Sequence, residues 1–346
     1  MKALQSSLSR RRFLRSACTA GAAAALLGLT GSLTPLRVLA STGLSGLHTE
    51  QQTRLLMGTM VTLTAATPDR NRAQEAFALA FAEIERQVAI FDRRNDSSAL
   101  GLLNAQGGLT DAPIELLVVL DASQRLGLET GFAFNPAITP VVDLFAAAKT
   151  DAALPGYNDA DLKQALALAQ PGGLRLTGRS ARLDRNGMRL TLDGIAKGYI
   201  ADAASRVLAE NGLPNHMVNA GGDIRASGHS ASGKPWSIGI QHPGQAGALL
   251  AAVPLGNGAL ATSGSYENYY DRGKSRHHLI SHLTGKSADI TSITVRAATA
   301  MQADSLATAL ALMPPVQAIR FAEERAKAAC LIVDSQGRRF SSANWA

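Results

Sequence analysis

The sequence predicts an α+β protein, mostly antiparallel strands flanked by helices, and three observations lead there. Strand-like runs cluster between helical stretches instead of alternating with them one for one, so a regular βαβ array is not indicated. Hydrophobic residues fill 46% of the 346 positions and charged ones 18%, with no long low-complexity tract, a composition that supports a buried core. Arg185-Asn186-Gly187 places a turn inside the β-rich stretch LRLTGRSARLDRNGMRLTLDG, as a hairpin requires.

The N-terminus reads as an address. Lys2, Arg10, Arg11, Arg12, Arg15 and Arg37 precede the first acidic residue, Glu50. Without those six charges the net +7 falls to +1, which leaves no polyanion footprint and argues against a nucleic-acid partner. Ser9-Arg10-Arg11 followed by Phe13-Leu14 resembles a twin-arginine export signal. The apolar stretch Ala17 to Leu29 is short for a bilayer span, and the small residues before Ser41 suit signal peptidase. Residues 1–40 are therefore expected to be a signal, residues 41–52 a polar tether, and the mature protein periplasmic with no stable membrane span. Twin-arginine substrates cross the membrane folded, often because they carry a cofactor. Cys18 leaves with the signal and Cys330 stands in an apolar run, so no internal disulfide is expected. Without CxxC or HExxH, a zinc site of soft ligands is not expected either.

In chain order, RLLMGTMVTLTAA from Arg54 alternates and is β-branched, which predicts a strand. Phe77, Ala80, Phe81, Ile84 and Val88 form a helical stripe ending near Phe91. A polar loop with a short helical piece follows, then a helix over about 115–130 and the loop GFAFNPAITP. Beyond the β-rich stretch come a helix over 196–211 and the strand HMVNA. WSIGIQH, LLAAVPLG and HHLISHL read as strands, followed by a helix over 303–312, a second helix and the hairpin ACLIVDSQGRR.

Four stretches carry chemistry. In DGIAKG, Gly194 and Gly198 let a ligand approach the backbone at a helix start, and Lys197 adds a charge for phosphate; a solvated lysine at a helix start is the bland alternative. NAGGD places Asp223 after a tight turn, able to orient a ligand group. Asp304 and Thr308 stand four apart on a helix, so their oxygens share a face suited to a hard cation such as Mg²⁺, unless Asp304 merely caps that helix. His277, His278 and His282 crowd one strand and its turn; alternation allows one of His277 and His278 to face a cleft and accept a proton.

Together with Met57-Gly58-Thr59, GFAFNP and ATSGSYENYY, these stretches resemble the FAD:protein FMN transferase family, the ApbE-type flavin transferases, in order and spacing over roughly 57–333. The resemblance implies one domain over 53–346 with FAD in a cleft between two lobes. It further implies Mg²⁺-dependent transfer of FMN from FAD to a threonine or serine hydroxyl in the flavinylation motif of an acceptor flavoprotein, with AMP leaving. By the same likeness Lys197 faces the diphosphate, and Asp304, Thr308 and the Gly194 carbonyl hold the metal. Met57, Phe91, Ala133, Phe134, Asn135, Thr191 and the main chain of Leu279 contact the nucleotide. His278 takes the acceptor's proton, assisted by Asp223. Several family carboxylates are replaced: Thr191, Asn135, Ser265 and Ser281 stand where aspartates are usual, with His282 in place of a proline. Phe91 stands for the usual stacking tyrosine. These losses leave open a non-catalytic FAD carrier, or a pyrophosphatase giving FMN and AMP. The signal and departures are similar to the NosX-type branch, which serves nitrous oxide reductase maturation; quinone reductase and Rnf complexes are the other candidate acceptors.

Overall fold

The computed structural model describes residues 46–150, 157–245, 247–266, 269–271, 273 and 275–345. The signal and residues 41–45 of the tether lie outside those residues. His48–Gln52, expected as tether, instead begin a strand: β1 (His48–Leu56) forms a hairpin with β2 (Thr59–Thr67) in which Leu56 faces Thr59. The single strand expected from Arg54 is thus a hairpin. Its turn residues, Met57 and Gly58, have φ of 53° and 70°, the left-handed pair that matches the twist of tight hairpins.

Asp69 caps α1 (Arg70–Phe91), its carboxylate accepting from Arg72 N–H at 3.0 Å. The stripe from Phe77 to Ile84 is fully buried; each large side chain so removed from water contributes about 1.5–3 kcal/mol. Then come α2 (Ala99–Gln106), β3 (Gly108–Leu109), α3 (Ile114–Glu129), a 3₁₀ turn (Pro136–Ile138) and α4 (Thr139–Thr150). Next are α5 (Asp159–Leu168), β4 (Leu174–Thr177) and β5 (Ser180–Leu183). The sequence reading passed over α4 and α5, although Asn158 and Asp161 form a capping box at the start of α5. Met188 to Leu192, expected as strand, is extended without a ladder: Asn104 serves as its partner, donating to the Leu190 carbonyl at 2.8 Å and accepting from its amide at 2.7 Å.

The remaining elements are α6 (Ala196–Glu210), β6 (His216–Ala220), β7 (Asp223–Ser227), β8 (Trp236–Gln241), β9 (Leu249–Leu255), β10 (Gly258–Gly264), β11 (Ile290–Ala297), α7 (Ala300–Leu310), α8 (Pro315–Glu324), β12 (Ala329–Asp334) and β13 (Arg339–Ser341). Eight strands form one sheet in the order β1-β2-β6-β7-β10-β11-β12-β13, with every neighbouring pair antiparallel. The α+β architecture is confirmed. HHLISHL makes only isolated bridges, Tyr269 with His277 and Ile280 with Ser287. The chain reverses at Gly285 (φ 68°), whose amide donates to the Ser281 carbonyl at 2.8 Å.

Strand alternation sorts the layers. On β7, Ile224 and Ala226 pack with Trp236, Ile238 and Val253 of the β8–β9 ribbon, while Asp223 and Arg225 point to the opposite, helical side. There α6 packs on α1, β6, β7 and α7, and α7 lies on β10 and β11. Cys330 is buried in β12, and burial pushes its thiol up to about 11. Among the described residues no helix is long and apolar enough to cross a membrane.

In the helical layer α6 and α7 approach closely at Gly198. A Cβ there would lie 2.7 Å from the Met301 amide nitrogen and closer still to the Ala300 carbonyl, both backbone atoms that cannot rotate away. Gly198→Ala should therefore force α6 from α7 and cost about 1–3 kcal/mol, read as a lowered urea midpoint. An unchanged midpoint would contradict this packing.

Candidate functional site

A cavity of about 800 Å³ opens between two apolar clusters. One is the main core under the sheet; the other joins Val141 and Phe145 of α4 to Ala165, Ala169 and Ile280. Its volume lies within the range of roughly 300–1,000 Å³ usual for ligand pockets.

The residues that the resemblance assigns to the site come from seven separate regions, and all of them line this cavity. The β1–β2 turn gives Met57, the end of α1 gives Phe91, and the loop before the 3₁₀ turn gives Ala133, Phe134 and Asn135. Thr191, Gly194 and Lys197 come from the α6 entry, Asp223 from β7, His278 and Leu279 from the 277–280 segment, and Asp304 and Thr308 from α7.

Lys197 sits in the first turn of α6 because that end of the helix is pressed against α7. Its ammonium donates to Asp223 Oδ2 at 2.5 Å; the lysine side chain is 38% exposed and the aspartate 4%. The next residue, Gly198, donates its amide to Asp304 Oδ2 at 3.0 Å. Asp304 is not a cap of its own helix, since Thr299 holds that position, accepting from Gln302 N–H at 3.2 Å. Burial, then the negative charge of Asp223, pushes the Asp304 carboxyl well above the usual range, with Lys197 pulling the other way. Two acids facing one amine leave the site short of positive charge when both are ionised.

The oxygen donors fit a hard cation. Gly194 lies directly on α7: a Cβ there would fall 2.5 Å from Thr308 Oγ1, so the loop backbone reaches the face that carries Asp304 and Thr308. Among the described residues no three His, Cys, Asp or Glu side chains form a metal-binding group. Carboxylate, hydroxyl and carbonyl oxygens are the chemistry of Mg²⁺, completed by water and phosphate.

The histidines separate cleanly. His277 is buried, donates from Nε2 to the Ala288 carbonyl at 3.0 Å and accepts at Nδ1 from Leu279 N–H at 3.4 Å. Both nitrogens are used, and burial pushes its imidazole down. His278 is the one that lines the cavity, its ring 6.2 Å from that of His277. The Leu279 carbonyl accepts from Ala288 N–H at 2.9 Å. Both main-chain groups of Leu279 are thus engaged within the protein.

A model of the ApbE family matches residues 57–332. The chain belongs to the ApbE family. Among curated ApbE-type relatives, the FAD:protein FMN transferase of Treponema pallidum is 32% identical, the match covering 75% of this chain and 80% of that protein. The one from Haemophilus influenzae is 33% identical over 66% of this chain and 70% of its own length. The solved ApbE protein of Thermotoga maritima superposes with a TM-score of 0.78 at 24% identity, covering 86% of this chain and 97% of the other. The Vibrio cholerae flavin transferase ApbE gives 0.75 at 24% identity, with 86% and 98% covered. At those identities the two structures establish the shared fold.

The departures from the ApbE pattern have structural accounts. Asp193, two places after Thr191, lines the cavity with its carboxylate 3.3 Å from Arg93, which also holds Asp143 at 3.1 Å. Thr191 ties the loop, its Oγ1 accepting from Asp193 N–H at 3.1 Å. Ser265 is buried beside Thr291, and Ser281 closes the 281–286 turn. Phe91 is buried with its ring edge-on to Tyr199 at 5.7 Å, which leaves it mainly a packing residue at the cavity wall. Arg93, Asp143, Asp193, Tyr269 and Tyr270 also line the cavity. The sequence reading passed over them, because FDRRND reads only as a charged loop and nothing local names the distant carboxylates.

Asn135 uses both ends of its amide: Oδ1 accepts from Ala137 N–H at 3.0 Å and Nδ2 donates to the Ala169 carbonyl at 2.7 Å. Only the first bond is open to an aspartate. Asn135→Asp should lower stability by about 1 kcal/mol or more by leaving the Ala169 carbonyl without its donor. Equal or greater stability in urea denaturation would show that this bond carries no weight.

Proposed function

We propose that this chain is an FAD:protein FMN transferase, moving FMN from FAD onto a threonine or serine hydroxyl of an acceptor protein and releasing AMP. The observation that carries the reading is the convergence of Lys197, Asp223, His278, Asp304 and Thr308 on one cavity. In the reaction the acceptor oxygen attacks the FMN-side phosphorus, the bond to the AMP phosphate breaks, and the hydroxyl proton is lost. His278 is placed to accept that proton as a neutral imidazole. Lys197, held by Asp223, presents its ammonium where charge accumulates on the diphosphate oxygens. Asp304, Thr308 and the Gly194 carbonyl would hold Mg²⁺, which supplies positive charge to the diphosphate when bound. Phe134 and the tyrosines at 269 and 270 give the cavity apolar surface for an aromatic nucleotide.

Incubation of the mature protein with FAD, Mg²⁺ and an acceptor bearing an Asp-(Ser/Thr)-Gly-Ala-(Ser/Thr)-like motif tests the reading. Covalent flavin on the acceptor is expected. Free FMN and AMP alone would indicate a pyrophosphatase, and intact FAD a carrier. His278→Ala should lower the transfer rate by about 10²–10⁴, and Asp304→Ala should abolish Mg²⁺-stimulated transfer in a folded protein. Retained Mg²⁺-stimulated transfer in Asp304→Ala would remove the metal assignment.

The twin-arginine pattern supports a periplasmic site of action, on an acceptor flavoprotein reached from that side. With Arg10 and Arg11 both changed to lysine, the protein should accumulate in the cytoplasm on fractionation. Unimpaired export would contradict the assignment.

A further inference from the structure

Lys197, Asp223 and Asp304 belong to three different elements, α6, β7 and α7, and chemistry that needs them together needs those elements fixed at sub-ångström precision. One contact outside the cavity lining joins all three. Asp202, one turn beyond Lys197 on α6, turns its carboxylate to the start of α7. Oδ1 accepts from Ala300 N–H and Oδ2 from Met301 N–H, each at 2.9 Å. These are the first two amides of α7, which an ordinary N-cap leaves unsatisfied; Thr299 takes the next, that of Gln302. From β7, Arg225 approaches Asp202 Oδ1 at 3.5 Å and donates to the Ala298 carbonyl just ahead of α7. Asp223 and Arg225 stand two apart on β7, so one strand face carries both the lysine's partner and this contact. The carboxylate also meets the positive end of the α7 dipole.

The geometry points to Asp202 and Arg225 as positioning residues that set α7, and with it Asp304 and Thr308, against the Gly194–Lys197 entry of α6. The inference rests on the reading of α7 as the metal-holding helix and extends it to residues that touch neither metal nor nucleotide.

Isothermal titration of Mg²⁺ into the FAD-loaded wild type, Asp202→Ala and Asp202→Asn tests it, with a thermal melt of each protein alongside. Asp202→Ala should bind Mg²⁺ about tenfold or more weakly, as loss of a supporting partner to a metal ligand does, and the Mg²⁺ needed for half-maximal transfer should rise in parallel. Asp202→Asn keeps one acceptor oxygen in place and should fall between the two. Should the alanine variant not fold, the asparagine variant carries the comparison with wild type. A folded variant with a lowered melting temperature but wild-type Mg²⁺ affinity would overturn the positioning role while leaving the transferase reading intact. Absence of Mg²⁺ binding by the wild type itself would overturn both.

Discussion

The backbone contact between α6 and α7 is the constraint on which the rest of the molecule depends. At Gly198 the two helices approach until the first turn of one rests on the first residues of the other, a spacing that excludes even a methyl group. That contact delivers the Gly198 amide to Asp304, sets Lys197 opposite Asp223, and lays the Gly194 loop on Thr308. Ala201 and Ala204 of α6 and Ala303 and Ala307 of α7 are likewise buried in the main core. The antiparallel sheet beneath acts as the platform.

The electrostatics follow from that packing. Asp304 is buried close enough to Asp223 for the second charge to raise its carboxyl, while the one nearby amine is bonded to Asp223. A protein stabilised for its own sake has little reason to bury two acids beside one lysine. A ligand that brings a cation and oxygen-rich phosphates resolves the imbalance, and the oxygen-only donor set is of the right hardness. The mouth is ordered by a second set of charges, Arg93 between Asp143 and Asp193, with Arg189 on the far oxygen of Asp143. These residues hold the end of α1, α4 and the α6 entry around one opening.

Much of this was legible in the chain, and the part that was not has physical reasons. The Phe77–Ile84 stripe predicts α1 because helical periodicity depends only on near neighbours. Met57, Lys197, Asp223, His278, Asp304 and Thr308 were legible through their short motifs, whose glycines and spacings are local too. Choosing between His277 and His278 needed the Ala288 carbonyl, eleven residues away, which claims the former. The extended run at Met188–Leu192 looks like a strand because its residues suit one, yet its backbone partner is the side chain of Asn104. Nothing near Asp193 in the sequence names its partner Arg93, which lies a hundred positions earlier. Long-range pairing of this kind leaves no mark in a window of sequence.

The most direct measurement of the central claim is a crystal structure of the protein with FAD and Mn²⁺, with the cation located by anomalous scattering. The account predicts an anomalous peak coordinated by Asp304 and Thr308, with the dinucleotide's phosphates between that peak and Lys197. A cation bound elsewhere, or a diphosphate remote from the junction of α6 and α7, would contradict it.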